Sequence, residues 1–231
     1  MQLPFKFQLL LYVIWIVSFS SCAETMEPVD CQINNESAYC QKMDSIVSVI
    51  RGMNGITDKE EYLQQCDYLL KEARAVNDTF YIIRADYFRS YCQFRNEEFL
   101  EAQLILNPHL KVLERREYGV LKANVLELYG NTLLDRRDFV KGIEYLKLAQ
   151  LEKEKIGDSS MLFKLYLDIA YADFRLNENY ELANEYFEKG LKIVQAAENS
   201  KAQIYVYSNF ATTIKEVYPD KALVYINKAI E

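Results

Sequence analysis

The chain has 231 residues, half of them apolar and 26% charged, with a formal charge of −7. Its 7 Gly and 4 Pro fall far below ordinary usage of about 7% and 5%, which excludes folds built on tight turns, phosphate-cradling glycine loops or many short strands. Eighteen tyrosines exclude a disordered chain, and the acidic balance argues against a nucleic-acid partner held through its phosphates.

Residues 1–22 read as a targeting segment. Lys6 precedes an apolar run from Phe7 to Val17, interrupted only by Gln8, and Ser18, Ser20, Ser21 and Cys22 follow. The run is short for a hydrocarbon core of about 30 Å, and its small-residue exit suits cleavage. Phe19-Ser20-Ser21-Cys22 resembles a bacterial lipobox, with Phe19 in place of the favoured Leu. That resemblance implies lipidation at Cys22 and a membrane-anchored lipoprotein of the cell envelope. Cleavage after Ala23, giving a soluble periplasmic or secreted protein, and a retained anchor are the alternatives. Only Lys6 among charged side chains would leave with this segment, so the body is more acidic still. Residues 23–36 contain Pro28 and Asn34-Asn35, lack helical periodicity, and read as a flexible tether.

From Ser37 onward the chain reads as helices in pairs. Apolar spacing and turn residues predict Ser37–Arg51 with Lys59–Val76, Thr79–Arg95 with Glu98–Glu117, and Val120–Arg136 with Phe139–Ile156. Ser160–Leu176 with Tyr180–Ala197, and Lys201–Val217 with Asp220–Glu231, complete the series. Turn signals fall at Gly52 and Gly55, Asn77-Asp78, Asn96, Asp135 to Asp138, Gly157-Asp158, Asn177 and Asn179, and Pro219. Pro108 lies inside the fourth segment, and a break or kink is expected at Asn107-Pro108.

An internal repeat organises these pairs. Ala102, Gly142, Ala183 and Ala222 recur at steps of 40, 41 and 39, each with a large apolar residue four further on (Leu106, Leu146, Phe187, Ile226). Upstream of each lies another small residue: Ser90, Gly130, Ala170 and Ala211, at steps of 40, 40 and 41. Offsets of three, four and seven share a helical face, so small residues mark where paired helices approach closely.

Leu126-x2-Tyr129-Gly130-x2-Leu133, followed by Gly142-x3-Leu146, resembles the tetratricopeptide repeat. Tyr166-x2-Ile169-Ala170 with Ala183-x3-Phe187, and Tyr207-x2-Phe210-Ala211 with Ala222-x3-Ile226, are similar. The period here is about 40 rather than the family's 34, so each helix is longer by nearly a turn. The resemblance implies an all-α fold, a right-handed α-solenoid of about five antiparallel hairpins over residues 37–231. Residues 37–79 form a degenerate first hairpin, with Tyr62 in the small-residue column. Apolar residues Ala229 and Ile230 close the sequence without a polar capping helix, so either a longer protein continues the array or a partner covers that face.

Little catalytic chemistry is assembled. His109 is the sole histidine, which leaves any metal cluster or nucleophile system at most one imidazole, and a structural role is expected for it. No metal site, cofactor motif or enzyme signature is present, and Glu60-Glu61 and Glu97-Glu98 read as helix-start acids that favour the dipole. Cys31–Cys40 and Cys66–Cys92 are the candidate disulfides, the second opposed by the usual 8–10 Å between helix axes.

The resemblance further implies that the first helix of each hairpin lines a concave groove for peptides or proteins. By register, the groove takes Arg84, Tyr87 and Tyr91, then Asn124, Glu127 and Asn131, then Lys164, Leu167 and Tyr171, and finally Tyr205, Ser208 and Thr212. Asn131 stands where some peptide-binding members hold the ligand backbone. The lysines and arginines of their carboxylate clamps are replaced by Asn124 and Glu127, which argues against a terminal-carboxylate ligand at that place. The expected function is a lipid-anchored binding module at the cell envelope. The alternative is the extracytoplasmic sensor portion of a longer membrane-bound regulator.

Overall fold

A computed structural model describes residues 38–115, 118–157 and 162–230. The expected signal, tether and Cys22 lie outside the described residues. Ten helices form, with no strand among the described residues: α1 (Ala38–Gly52), α2 (Lys59–Ala75), α3 (Thr79–Arg95), α4 (Phe99–Leu113) and α5 (Val120–Asp135). They continue as α6 (Phe139–Ile156), α7 (Leu162–Asn177), α8 (Tyr180–Ala196), α9 (Ser200–Ile214) and α10 (Pro219–Ile230).

Each helix packs on the next, and α3, α5, α7 and α9 also pack in series on one another. Helices α3, α5, α7 and α9 therefore make one layer, with an even-numbered helix packed against each consecutive pair. Such serial contact defines an all-α solenoid of helical hairpins.

The small-residue columns explain how the paired helices meet. Ser90, Ala170 and Ala211 on the odd helices, and Ala102, Ala183 and Ala222 on the even ones, are buried. Gly130 and Gly142 approach so closely that a Cβ on either would stand 3.2 Å from the other's carbonyl oxygen. In the preceding hairpin Ser90 Oγ donates to Ala102 O at 2.8 Å, so the hydroxyl fills the equivalent gap with its partner satisfied.

The turns repeat too. Asn77, Glu97, Arg137, Glu178 and Glu198 all have positive φ, about 20 residues apart or a multiple of it. At four of these ends the following amide reaches back to the last turn: Asp78 N to Ala73 O, Glu98 N to Gln93 O, Asp138 N to Leu133 O, and Asn199 N to Val194 O. That is the Schellman closure, which satisfies carbonyls a helix end leaves orphaned. The next residue at once caps the new helix: Asp78, Asp138, Asn179 and Asn199 side chains accept from amides three residues on.

Two expectations about α4 are corrected. In place of the break expected at Asn107-Pro108, the helix is continuous through Pro108, because Pro108 and Leu104, whose carbonyl loses its donor, both lie on the solvent face where water can substitute. It also ends at Leu113, four residues short of Glu117, since Leu113 is the last apolar residue its core can bury. Cys66 and Cys92 are free, buried thiols rather than a bridge. Cys40 is disulfide-bonded, and its expected partner Cys31 lies outside the described residues. No described helix is long and apolar enough to cross a membrane.

Candidate functional site

The residues expected to line the groove all fall on α3, α5, α7 and α9, the helices that stack into one layer. Tyr87, Tyr91, Asn124, Glu127, Asn131, Lys164, Tyr171 and Tyr205 are half-buried, and Thr212 is exposed. Arg84, Leu167 and Ser208 are buried beneath that surface. Tyr87 and Tyr91 stack at 6.3 Å, and Arg95 Nη1 donates to the Tyr91 hydroxyl at 3.1 Å. Tyr171 meets Phe139 edge-on at 6.3 Å, and Lys164 Nζ stands 5.8 Å from the Tyr205 ring. These contacts hold half-buried aromatic rings in place.

Two charged residues that register did not select meet the centre of the layer, Asp168 of α7 and Lys153 of α6. Asn131 Nδ2 donates to Asp168 Oδ2 at 3.0 Å, and Lys153 Nζ of α6 pairs with Glu127 Oε2 at 3.1 Å. Lys153 is only 3% exposed, so its charge is committed to Glu127. Burial, reinforced by the nearby Glu127 charge, pushes the Asp168 carboxyl up to about 7 despite the Asn131 hydrogen bond. Asp168 therefore keeps its proton in the folded state from about pH 4, where it ionises in an unfolded chain, to about pH 7. Stability is thus lost as pH rises through that window. Asp168→Asn removes the dependence and raises stability at pH 8 by about 1–2 kcal/mol, with little change at pH 4. Thermal midpoints of both proteins across pH 4–8 check this, and parallel curves would contradict it.

At the α1 side of the layer, burial and then Arg51 lower the Arg84 guanidinium to about 10. It stands 5.7 and 5.8 Å from the Phe80 and Tyr81 rings.

His109 lies elsewhere. Its Nε2 bonds Asp86 Oδ2 at 2.8 Å, while Arg89 holds Asp86 Oδ1 at 2.9 Å and Asp67 at 3.2 Å. Burial alone would raise the Asp86 carboxyl, but hydrogen bonds from His109 and Arg89 outweigh it and hold the group below its ordinary value. The histidine thus ties α4 to α3 through a buried acid. No cluster of three or more His, Cys, Asp or Glu suited to a metal ion occurs among the described residues. A cleft of about 610 Å³ opens between α4, α5 and α6, lined by Gln103, Tyr129, Arg136, Lys141, Glu144 and Tyr145 among others. It shares no residue with the expected groove.

No family model and no curated protein matches the chain. Among solved structures the chain is similar to the crystal structure of BtubC (BKLC) from P. vanneervenii, with a TM-score of 0.58 and 17% identity. The likeness covers 74% of this chain and 71% of that one. The shared feature is the fold: an α-solenoid of helical hairpins.

Proposed function

We propose that this protein is a tetratricopeptide-like binding module, exported and tethered by lipid at Cys22, that holds a protein or peptide on its odd-numbered helices. The observation that carries the reading is the layer itself. Four helices stacked in series present half-buried tyrosines, amides and charges along one continuous surface, as a binding face requires. The role is binding rather than catalysis, without a cofactor and without nucleic acid. The Cys40 disulfide supports export, since such bonds persist in oxidising compartments.

Selection of a random peptide library on the full chain tests this reading. Selected peptides should lose at least tenfold in affinity on Tyr91→Ala or Tyr171→Ala, and keep it on Leu104→Ala or Leu148→Ala, which lie on α4 and α6 outside the proposed face. Peptides indifferent to the first pair would overturn it.

A further inference from the structure

Arg84 is 3% exposed, yet its Nη1 and Nη2 are buried without a hydrogen-bond acceptor. Its ion-pair partner is Asp44, whose Oδ1 stands 3.7 Å from Nη1, beyond hydrogen-bond reach. That oxygen instead accepts from the Tyr81 hydroxyl at 3.1 Å. Buried polar groups are almost always paired, and a buried guanidinium without an acceptor is among the costliest exceptions. Among its charged neighbours, Arg51 disfavours the guanidinium's charge and Asp44 favours it. The side chain of Asp44, by contrast, is 43% exposed and has room to turn into solvent.

We propose that Arg84 anchors a carboxylate site at the α1 side of the odd-helix layer, entered when Asp44 turns aside. A planar carboxylate accepts from Nη1 and Nη2 together, a geometry that a point anion such as chloride cannot reproduce. The Phe80 and Tyr81 rings flank the fork and hold it in one orientation. The inference rests on the groove reading only for the ligand's being a peptide. The carboxylate comes from an acidic side chain or from the chain terminus. The site lies on α3, apart from the Asn124 and Glu127 positions that argued against terminal-carboxylate binding further along.

Thermal midpoints of the full chain in N-acetylglycine, a terminal carboxylate, and in N-acetylglutamate amide, a side-chain carboxylate, test the site against chloride at equal ionic strength. At least one carboxylate should give a saturable rise of about 2–4 °C, and the one that does identifies the source. Asp44→Ala should lower its half-saturating concentration about tenfold, because the competing acid is gone. Arg84→Met should abolish the rise. Identical responses to chloride and both carboxylates, an unchanged half-saturation in Asp44→Ala, or a persisting rise in Arg84→Met would each overturn the proposal. The wild-type and Asp44→Ala titrations decide it even if Arg84→Met does not fold. Because no selected peptide enters these titrations, their failure is distinct from failure of the groove reading.

Discussion

Replacing Phe187 by alanine is expected to cost about 3–5 kcal/mol of folding stability. Phe187 is fully buried in α8, stacked on Phe210 of α9 at 4.3 Å with planes 11° apart, and meets Tyr225 of α10 edge-on at 5.0 Å. One side chain therefore joins three helices from two hairpins. Its removal leaves a void that Ala183 and Ala222, already pressed into the helix crossings, are too short to fill. For a domain of this length the thermal midpoint should fall by roughly 10 °C. Leu104→Ala is the matched control. Leu104 is 61% exposed, and its truncation should stay within about 0.5 kcal/mol. Equal losses in the two variants would mean that burial at this junction is not what holds the array together.

The second large effect lies at the α5–α6 crossing. A Cβ at Gly130 would stand 2.9 Å from Leu146 Cδ2 and 3.2 Å from the Gly142 carbonyl oxygen. Leu146 is fully buried, and the carbonyl belongs to a helix backbone that cannot rotate out of the way. Gly130→Val must therefore push the two helices apart, at a cost of about 2–3 kcal/mol that a small gain in helix propensity only partly offsets. Gly52 has nothing within 4 Å of the equivalent position, so Gly52→Ala should be nearly neutral. Chemical denaturation of both variants checks the pair. A valine tolerated at 130 without loss would refute the close crossing.

The helices were legible in the sequence because packing and periodicity agree. Small residues at steps near 40 mark real helix crossings, as the Gly130–Gly142 approach and the Ser90–Ala102 bond show. The turns were legible only in part. Asn77 announces a left-handed residue, whereas Glu97, Arg137, Glu178 and Glu198 carry no such signal. Their conformation is imposed by the closing hydrogen bonds of the helix before and the cap of the helix after. Pro108 does not break its helix, and propensity could not report this, because it does not say whether an orphaned carbonyl faces water or core.

The candidate site was legible as a layer but not as a set of contacts. Register selected α3, α5, α7 and α9 correctly as one stacked series. It missed Asp168 because side chains on neighbouring helices meet diagonally: Asn131 bonds a residue 37 positions on rather than 40. It missed Lys153 because that cation reaches Glu127 from α6, outside the stacked series. A strict column of equivalent positions reports which helices stack in series, whereas hydrogen bonds depend on the offset between helices.

Native-state hydrogen exchange on the Phe187→Ala protein tests serial stacking most directly. In an array whose hairpins touch only near neighbours, the lesion should deprotect Tyr180–Ala196, Ser200–Ile214 and Pro219–Ile230 while Lys59–Ala75 and Thr79–Arg95 keep wild-type protection. Deprotection spread evenly from Ala38 to Ile230 would show one indivisible core, and would contradict the account.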